Sequence, residues 1–264
     1  MPKKIKLDEF GFQKTDEILT QQEYMVVKSN DIIQKSRFSL SVQQQKIILF
    51  LISKIKPGDT LCPYSVSIKD FCEVCNIDPN NGKNYADIKT ALKGLADKSI
   101  WLRDGNKEIL LRWLDRVLID YQSSNIVVKF HTDMVPFLLE LKEKYTQYSL
   151  DNILPMRSKY GIRLYELLKS FENYSMTLTF SYDELKQRLD SEKYTRFADF
   201  RRVVLEPALN DINTYSDIVV KHRLIKKNSR AYNHIEFRVL AATGNEMKNR
   251  MIEKDTKLGR TRAF

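Results

Sequence analysis

Cysteine and histidine are scarce in this sequence, which has three of each among its 264 residues. The cysteines are odd in number and lie together in the first half, at positions 62, 72 and 75, so a disulfide framework is disfavoured. Cys72 and Cys75 form a Cys-x-x-Cys pair, but no second pair of zinc ligands lies nearby. Their spacing puts both thiols on or near the buried face of a helix, and we interpret them as core residues.

Long apolar runs are also missing from the chain. No run approaches the roughly 18 apolar residues that a membrane-spanning helix requires. The first ten residues, MPKKIKLDEF, lack the apolar segment of a signal peptide. We therefore expect a soluble, cytoplasmic protein without a membrane partner.

Two catalytic signatures are absent as well. None of the histidines, at positions 131, 222 and 234, has a second histidine two residues away, as the metal motif of rolling-circle nucleases requires. A phosphate-binding loop is not present, because Gly82-Lys83 is followed by Asn84 and position 77 is Ile. We therefore expect no enzymatic activity, no cofactor and no metal site.

Positive charge is what the chain has in excess, with a formal net charge of +10. Such an excess is compatible with nucleic acid or an anionic membrane as partner. Its placement is informative, because residues 193–230 contain nine bases and four acids, half of the total excess. These bases follow a helix–hairpin pattern without an exposed apolar stripe, which favours nucleic acid over a membrane surface.

A short pattern occurs twice, as YADIKTALKGLADKS from position 85 and as FADFRRVVLEPALNDIN from position 197. Each copy follows an alternating strand, a serine at a helix N-cap position and a short helix, in PYSVSIKDFCEVCNI and SMTLTFSYDELKQRLD. Both halves have the order helix, strand, helix, helix, hairpin. This is the order of a winged helix-turn-helix module, whose third helix enters the major groove of DNA.

We therefore predict an α+β protein with two tandem winged-helix domains related by internal duplication. The predicted boundaries are an N-terminal arm over 1–25, a first domain over 26–148, a second over 149–242 and a loosely ordered, polar basic tail over 243–264. Asp104-Gly105-Asn106 predicts the hairpin of the first domain, and PFLLELKEKY predicts a helix after it.

The two third helices have one predicted buried face each. The positions on that face are Tyr85, Ile88, Leu92 and Ala96, matched by Phe197, Phe200, Val204 and Ala208. The opposite face of the second helix presents Asp199, Arg202, Glu206 and Asn210, with Arg196 at its entry; the equivalents in the first are Asp87, Thr90, Gly94 and Lys98. We expect Arg201 and Lys89 to lie nearer the buried side and to snorkel from there to phosphate or to solvent. Pro207 is expected to kink the helix.

At this point the chain resembles the Rep_3 family of plasmid replication initiators, the iteron-binding Rep proteins, from about Val26 to Leu240. The segments that carry the resemblance are VVKSNDIIQKSRFSLSVQQQKIILFLISKI, YGIRLYELLKSF and FADFRRVVLEPALNDINTYSDIVV with the later IEFRV. The resemblance implies a bacterial protein that binds repeated iterons at a plasmid origin, helps to melt the duplex and recruits the host initiator and helicase. It also implies autorepression by a homodimer that is in equilibrium with the initiating monomer.

A tandem winged-helix transcriptional repressor without initiator activity fits the residue patterns equally well. Both hypotheses predict double-stranded DNA as partner, with the second domain as the main reader from about residue 150 onward. The first domain supplies accessory contacts and, by resemblance, self-association. The residues predicted to contact DNA are Lys193, Tyr194, Arg196, Asp199, Arg201, Arg202, Lys226, Lys227, Ser229, Arg230, Lys83, Asn84, Lys89 and Lys93.

Overall fold

The computed structural model describes residues 24–56, 59–75, 84–141, 144–172, 174–228 and 230–258. These residues divide into two compact units. Unit 1 takes its described residues from 1–32 and 43–150, and unit 2 takes them from 33–42 and 151–264. The division near residue 150 resembles the predicted one, but the ten residues of segment 33–42 belong to unit 2, which the sequence analysis did not predict. The predicted arm over 1–25 lies almost wholly outside the described residues.

The first part of the chain contains short strands and helices in alternation. In chain order they are β1 (Met25–Ser29), α1 (Asn30–Gln34), β2 (Ser36–Arg37), α2 (Val42–Ile52), β3 (Tyr64–Ser67), α3 (Ile68–Cys75), α4 (Asn84–Ala96), β4 (Ser99–Asp104), β5 (Lys107–Arg112), β6 (Leu114–Asp120), β7 (Asn125–Phe130), α5 (Val135–Leu138) and β8 (Tyr145–Ser149). β7 pairs with β3 on one side and β6 on the other, and β1 pairs with β8, all antiparallel. Phe50, Phe71 and Phe130 are fully buried in the core of unit 1.

Unit 2 repeats the same plan with longer strands. Its further elements are α6 (Lys159–Lys169), β9 (Thr177–Ser181), α7 (Tyr182–Arg188), α8 (Phe197–Phe200), α9 (Glu206–Tyr215), β10 (Ile218–Ile225), β11 (His234–Ala241) and α10 (Gly244–Leu258). The central strand β11 pairs antiparallel with β10 and β9. Tyr165, Phe200 and Phe237 are fully buried, so α6, α8 and β11 contribute to one core.

The predicted duplication is confirmed by the strand pairing, because β3–β7–β6 has the same order as β9–β11–β10. The serine caps are confirmed as well. Ser67 Oγ accepts the backbone N–H of Asp70 at 3.0 Å, and Ser181 Oγ accepts that of Glu184 at 3.1 Å. Each serine satisfies a helix-terminal N–H that has no partner within its helix.

The wing of unit 1 is not the hairpin that the sequence pointed to. The turn at Gly105 exists, with φ +57°, and joins β4 to β5. By its pairing with β3, however, the counterpart of β10–β11 is β6–β7, and β4–β5 is an additional hairpin. The Asp104-Gly105-Asn106 signal depends only on neighbouring residues, and it therefore predicted the β4–β5 hairpin correctly. The position of a wing depends on pairing with a strand some 60 residues earlier, which no local signal contains.

The predicted third helix of unit 2 consists of α8, a π-helical turn over Arg201–Leu205 and α9; we call residues 197–215 the composite helix. The N–H of Glu206 donates to the carbonyl of Arg201, five residues earlier. Pro207 has no N–H to continue the α-helical pattern, and the π turn just before it is the local distortion that accommodates this. Phe200, Val204 and Ala208 are buried, as predicted.

Tyr85 was wrongly predicted to be buried. Its side chain is 43 % exposed, and its ring packs edge-on against Tyr121 of the β6–β7 turn, with 5.3 Å between centroids. α4 begins only at Asn84, so Tyr85 lies in its first turn, before the part of the helix that Ile88 and Leu92 anchor in the core. Its counterpart Phe197 is half-buried and stacks on Tyr182 at 4.3 Å.

Two further segments differ from the expectations. Of the described residues of the predicted PFLLELKEKY helix, only 136–138 are α-helical, as part of α5 (Val135–Leu138), and strand β8 begins at Tyr145. Residues 244–258 of the expected loose tail form helix α10. Arg250 Nη1 donates to the carbonyls of Ser216 and Ile218, and Lys254 Nζ donates to Asn152 Oδ1 at 2.8 Å. The polar composition led to the wrong expectation of a loose tail, because two of its cations, Arg250 and Lys254, are buried and their hydrogen bonds hold α10 in place.

Cysteine packing agrees with the core interpretation where it is described. Cys72 is buried, and this burial raises the pKa of its thiol. The Cys75 side chain lies outside the described residues.

Within the described ranges, His, Cys, Asp and Glu side chains form no group of three that could hold a metal ion. No helix in these ranges is long and apolar enough to span a membrane.

Candidate nucleic-acid interface

The outward face of the composite helix carries two arginines held by one carboxylate. Arg196 and Arg202 have side chains that are 79 % and 74 % exposed. Asp199 lies between them, with Oδ2 at 3.9 Å from Arg196 Nε and Oδ1 at 3.5 Å from Arg202 Nη2. Glu206 and Asn210 are exposed on the same helix, so the predicted outer face is confirmed. The carboxylate restricts the two guanidinium groups while it leaves most of their donors open to a ligand.

The Arg201 side chain is exposed, which agrees with the expectation that it reaches solvent. Its Nε is 2.8 Å from Oε1 of Glu206. The π turn begins at Arg201, and its wider turn changes the angular position that a regular 100° per residue assigns to these side chains. Burial, followed by the charge of Arg201, lowers the pKa of nearby His222. A neutral imidazole therefore lies beside the Arg201–Glu206 pair near neutral pH.

The loop that enters the composite helix packs on α6. The ring of Tyr194 meets Tyr160 edge-on with 6.4 Å between centroids, and its backbone N–H donates to the carbonyl of Ser191. Lys193 Nζ lies 5.1 Å from the centroid of the Tyr194 ring. Tyr194 is thus half-buried and supports the loop, whereas Lys193 is exposed and free to reach a phosphate.

The turn between β10 and β11, which we call the wing turn (226–233), is basic and internally braced. Lys226, Lys227 and Arg230 are all exposed, while Ser229 lies outside the described residues. Asn233 closes the turn, because its Oδ1 accepts the N–H of Lys227 at 2.8 Å and its Nδ2 donates to the Lys227 carbonyl at 2.9 Å.

Sequence reasoning missed two residues of the wing turn. Lys226 Nζ lies 4.9 Å from the ring centroid of Tyr232, which is itself exposed. The role of Asn233 as a brace was also not foreseen. Asn side chains often form hydrogen bonds to the backbone of a turn, so an Asn at the end of this basic turn could have predicted the brace.

In unit 1 the predicted contacts lie on α4. Lys89 and Lys93 are both exposed, which agrees with the expectation that Lys89 reaches solvent. Lys89 Nζ lies 5.3 Å from the ring centroid of Tyr121, a residue that the sequence analysis did not select, and Lys93 Nζ is 2.5 Å from Asp97. Lys83 and the Asn84 side chain lie outside the described part of the chain. The described predicted residues therefore form two sets, one on unit 2 and a smaller one on unit 1.

The chain is similar to known proteins along most of its length. A curated "Replication initiation protein" of Escherichia coli is 26 % identical over 229 residues, covering 82 % of this chain and 70 % of the relative. An uncharacterised 27.6 kDa protein of Escherichia coli is 21 % identical over 215 residues, covering 75 % of this chain and 89 % of that protein. Among solved structures, the Pi initiator protein in complex with iteron DNA superposes with a TM-score of 0.68 at 21 % identity, covering 84 % of this chain and 98 % of that one.

Two family models match the two halves. The model described as "Initiator Replication protein, WH1" matches residues 25–169, and the model described as "Initiator Rep protein, WH2" matches residues 181–239. The first model alone covers more than half of the chain. The strand order of each unit and the solved fold agree with these matches. The chain therefore belongs to the Rep_3 family of replication initiators and contains its two winged-helix domains, WH1 and WH2.

Proposed function

We propose that this protein binds double-stranded DNA in a sequence-specific manner at repeated iterons of a plasmid origin and initiates replication there. The observation that carries the proposal is the Arg196–Asp199–Arg202 group on the exposed face of the composite helix. Family membership supports the initiator role, and the similar Pi initiator was crystallised with iteron DNA.

The chemistry of the group suits the reading of base edges. An arginine fork donates two hydrogen bonds to O6 and N7 of guanine in the major groove, and a carboxylate accepts from the amino group of cytosine. Asp199 keeps the forks of Arg196 and Arg202 from sampling many rotamers, which reduces the entropy lost on binding. Lys193, Lys226, Lys227 and Arg230 flank this face and suit phosphate contacts that position the duplex.

Unit 1 has a supporting role in this proposal. Lys89 and Lys93 are compact, flexible cations suited to phosphate rather than to bidentate base contacts. We assign accessory DNA contacts to these residues, together with Lys83 and Asn84, and self-association to the same unit. Origin melting, recruitment of the host initiator and helicase, autorepression and a dimer–monomer equilibrium belong to the proposal through the family.

Salt titrations on cognate and scrambled duplexes distinguish residues that contact base edges from residues that contact phosphates. Arg202→Ala should reduce the discrimination between the two duplexes by about 1 to 3 kcal/mol, because one bidentate contact is lost. Replacing Lys226, Lys227 and Arg230 together by Ala should weaken both duplexes alike and reduce the slope of log affinity against log salt by up to about 3. Arg112→Ala, an exposed arginine on β5, is the control with the same charge change as Arg202→Ala. Loss of selectivity in the wing variant but not in Arg202→Ala would reverse the assignment.

The repressor alternative is tested by the arrangement of the binding sites. Footprinting on the DNA that flanks the gene should reveal direct repeats of about 20 base pairs, or two helical turns, if the protein is an initiator. A single inverted repeat within a promoter, with no footprint on direct repeats, would favour a repressor.

A further inference from the structure

Unit 1 has a groove between α4 and the strand β6, and the proposed function does not use the floor of this groove. The groove has a volume of about 350 Å³. Its floor is apolar and is formed by Leu92, Ala96, Val117 and Ile119. Leu92 is buried, whereas the other three side chains are half-buried and partly in contact with water. A ligand that covers them would therefore remove apolar surface from water, which favours binding.

β6 is the outer strand of the sheet β3–β7–β6, and one of its backbone edges has no strand beside it in the described part of the chain. Alternate residues of an outer strand turn their N–H and C=O groups away from the neighbouring strand. Among the described residues, only β7 forms hydrogen bonds with the backbone of residues 117–119. This edge, next to the apolar floor, therefore offers donors and acceptors to an extended chain.

The middle of this edge has none of the features that usually keep outer strands from pairing with other chains. Such strands tend to carry a charge or a proline, or to contain a bulge. Residues 117–119 are Val, Leu and Ile, and the irregularity of β6 lies before them, between Leu114 and Arg116. Asp120 follows them, but its Oδ2 accepts the hydroxyl of Ser123 at 2.6 Å. An apolar, regular edge of this kind is a template for another strand.

Two lysines of α4, Lys89 and Lys93, line the rim of the groove and are exposed. Lys93 is paired with Asp97, with Nζ 2.5 Å from Oδ2. Lys89 has no carboxylate within 4 Å among the described residues, and its Nζ lies 5.3 Å from the ring centroid of Tyr121. The positive charge of Lys89 is therefore available to an acidic ligand at the rim.

Unit 2 shows that this apolar floor is not a general consequence of the fold. When the capping serines of the two units are aligned, the strand pairing matches Val117 with His222. The duplicated helix pattern matches Lys89 with Arg201, which is paired with Glu206. The charge of Arg201 also affects the pKa of the nearby His222. The corresponding place in unit 2 is thus polar, and the apolar groove is a feature of unit 1.

We propose that this groove binds an extended, acidic peptide segment of a partner protein, which adds a strand to the outer edge of β6. In this mode of recognition the peptide backbone supplies hydrogen bonds, and its alternate side chains enter pockets beside the edge. Apolar side chains on one face of the peptide cover Val117 and Ile119, because successive side chains of a strand point to opposite faces. A carboxylate of the peptide pairs with Lys89 at the rim.

A second copy of the chain and a duplex fit the groove less well than an acidic peptide. Pairing of two β6 strands about a twofold axis brings the rim lysines of both copies to one interface, where like charges repel. A duplex uses Lys89 and Lys93 through its phosphates, but it offers no strand to the edge of β6. The peptide uses the edge, the floor and the rim together. The site thus goes beyond duplex reading and does not depend on it.

The test is fluorescence anisotropy of the full chain with a labelled peptide of about ten residues, the length of a long strand, in which valine and glutamate alternate. Two derivatives of the peptide are methylated on the odd or on the even backbone nitrogens. One of them should lose at least about tenfold in affinity, because only alternate N–H groups of a strand face its neighbour. The other should bind like the parent peptide. This comparison uses the wild-type chain and does not depend on how a variant folds.

Variants of the floor and the rim test the two other features of the groove. Val117→Thr places a hydroxyl in the floor and should weaken peptide binding about fivefold. Val219→Thr is its control, because it makes the same change at a half-buried position of β10. Lys89→Ala should weaken binding about two- to fivefold. Lys98→Ala is the matched control, since it removes an exposed lysine outside the groove.

The proposal is overturned if both methylated peptides bind like the parent peptide, or if the control variants lose as much affinity as the groove variants. Equal binding of a peptide with lysine in place of glutamate would also overturn it. A dimer of the free chain that the peptide dissociates and Val117→Thr weakens, measured by sedimentation, would assign the edge to a second copy instead. Arg202→Ala should leave peptide binding unchanged; failure of duplex reading alone would contradict the proposed function and leave this site standing.

Discussion

The carboxylate of Asp211 on α9 holds the start of α6, because its Oδ2 accepts the backbone N–H of Ser158 at 2.6 Å. The same oxygen accepts the N–H of Arg157 at 2.8 Å, and Ser158 Oγ in turn accepts the N–H of Gly161. Asp211 is buried. This contact fixes the composite helix on α6, and it joins two of the segments that carry the family resemblance, YGIRLYELLKSF and PALNDIN.

Asp211→Ala should lower the free energy of unfolding by about 2 kcal/mol, because two buried N–H groups lose a charged acceptor. Urea unfolding followed by circular dichroism measures this. Asp211→Asn keeps one acceptor oxygen and should cost less than the alanine variant. Equal stability of wild type and Asp211→Ala would contradict the role assigned to this carboxylate.

Gly161→Ala should destabilise the protein by about 1 to 3 kcal/mol through overpacking. A Cβ at this position would lie 3.2 Å from Asp211 Cβ and 3.4 Å from Ser158 Cβ, in a place where backbone hydrogen bonds keep both neighbours fixed. Gly244→Ala is the control, since its Cβ would meet no atom within 4 Å. Thermal melting should find Gly244→Ala near wild type; a matching loss in both variants would mean that crowding at Asp211 is not the cause.

Arg163→Met should release segment 33–42 from unit 2. The Arg163 guanidinium is buried, donates to the carbonyls of Ser36 and Arg188, and lies 4.2 Å from the Phe38 ring centroid. Its loss leaves buried Glu166 without this cation, so we expect a cost of about 3 kcal/mol. Arg163→Lys keeps the charge but not the planar fork and should be intermediate. Faster amide exchange over 33–42 is the specific readout, and unchanged exchange there would refute the role.

A fragment of residues 151–264 should be less stable than the same fragment with a peptide of residues 30–44 added in excess. The peptide supplies the carbonyl acceptors of Arg163 and Arg188, and binding to the folded state alone raises the melting temperature by mass action. Specific DNA binding by the second domain alone should therefore improve with the peptide. A scrambled peptide is the control, and an equal effect from it would argue against specific docking.

Lys54 should make stability depend on pH above neutrality. Its Nζ lies 4.0 Å from the Tyr24 ring centroid, and burial, opposed by the charge of Asp70, lowers its pKa to about 8. Between about pH 8 and the unfolded value near 10.4, the unfolded chain holds a proton that the folded chain has lost, so stability rises with pH. Because Lys54 is only half-buried and solvent screens its charge, we expect a rise of about 1 to 2 kcal/mol. Below pH 8 both states are protonated and the penalty is complete.

Lys54→Met removes this penalty and should be more stable than wild type at pH 7, with a difference that shrinks towards pH 10.4. Urea unfolding of both proteins across this range measures the difference directly. A difference that stays constant with pH would show that Lys54 does not change its protonation in this window.

Local sequence signals predicted those features of the fold that depend on near neighbours. The caps at Ser67 and Ser181 need only the N–H three residues on, and the turn at Gly105 needs only a residue that tolerates positive φ. Periodicity predicted the outer face of the composite helix, but it did not predict the π turn, in which the regular angle per residue no longer holds.

By itself the sequence determined the duplicated winged-helix order, the basic character of residues 193–230 and the exposed arginines on the outer face of the composite helix. Each of these follows from the type and spacing of neighbouring residues. Tertiary structure alone decided that segment 33–42 joins unit 2, that β6–β7 takes the position of the wing, that α10 docks through buried cations and that α4 and the outer strand β6 border a groove. Each of these outcomes depends on contacts between residues distant in sequence. Whether a cation is buried or exposed is set by the partners that folding brings to it, and composition does not contain those partners.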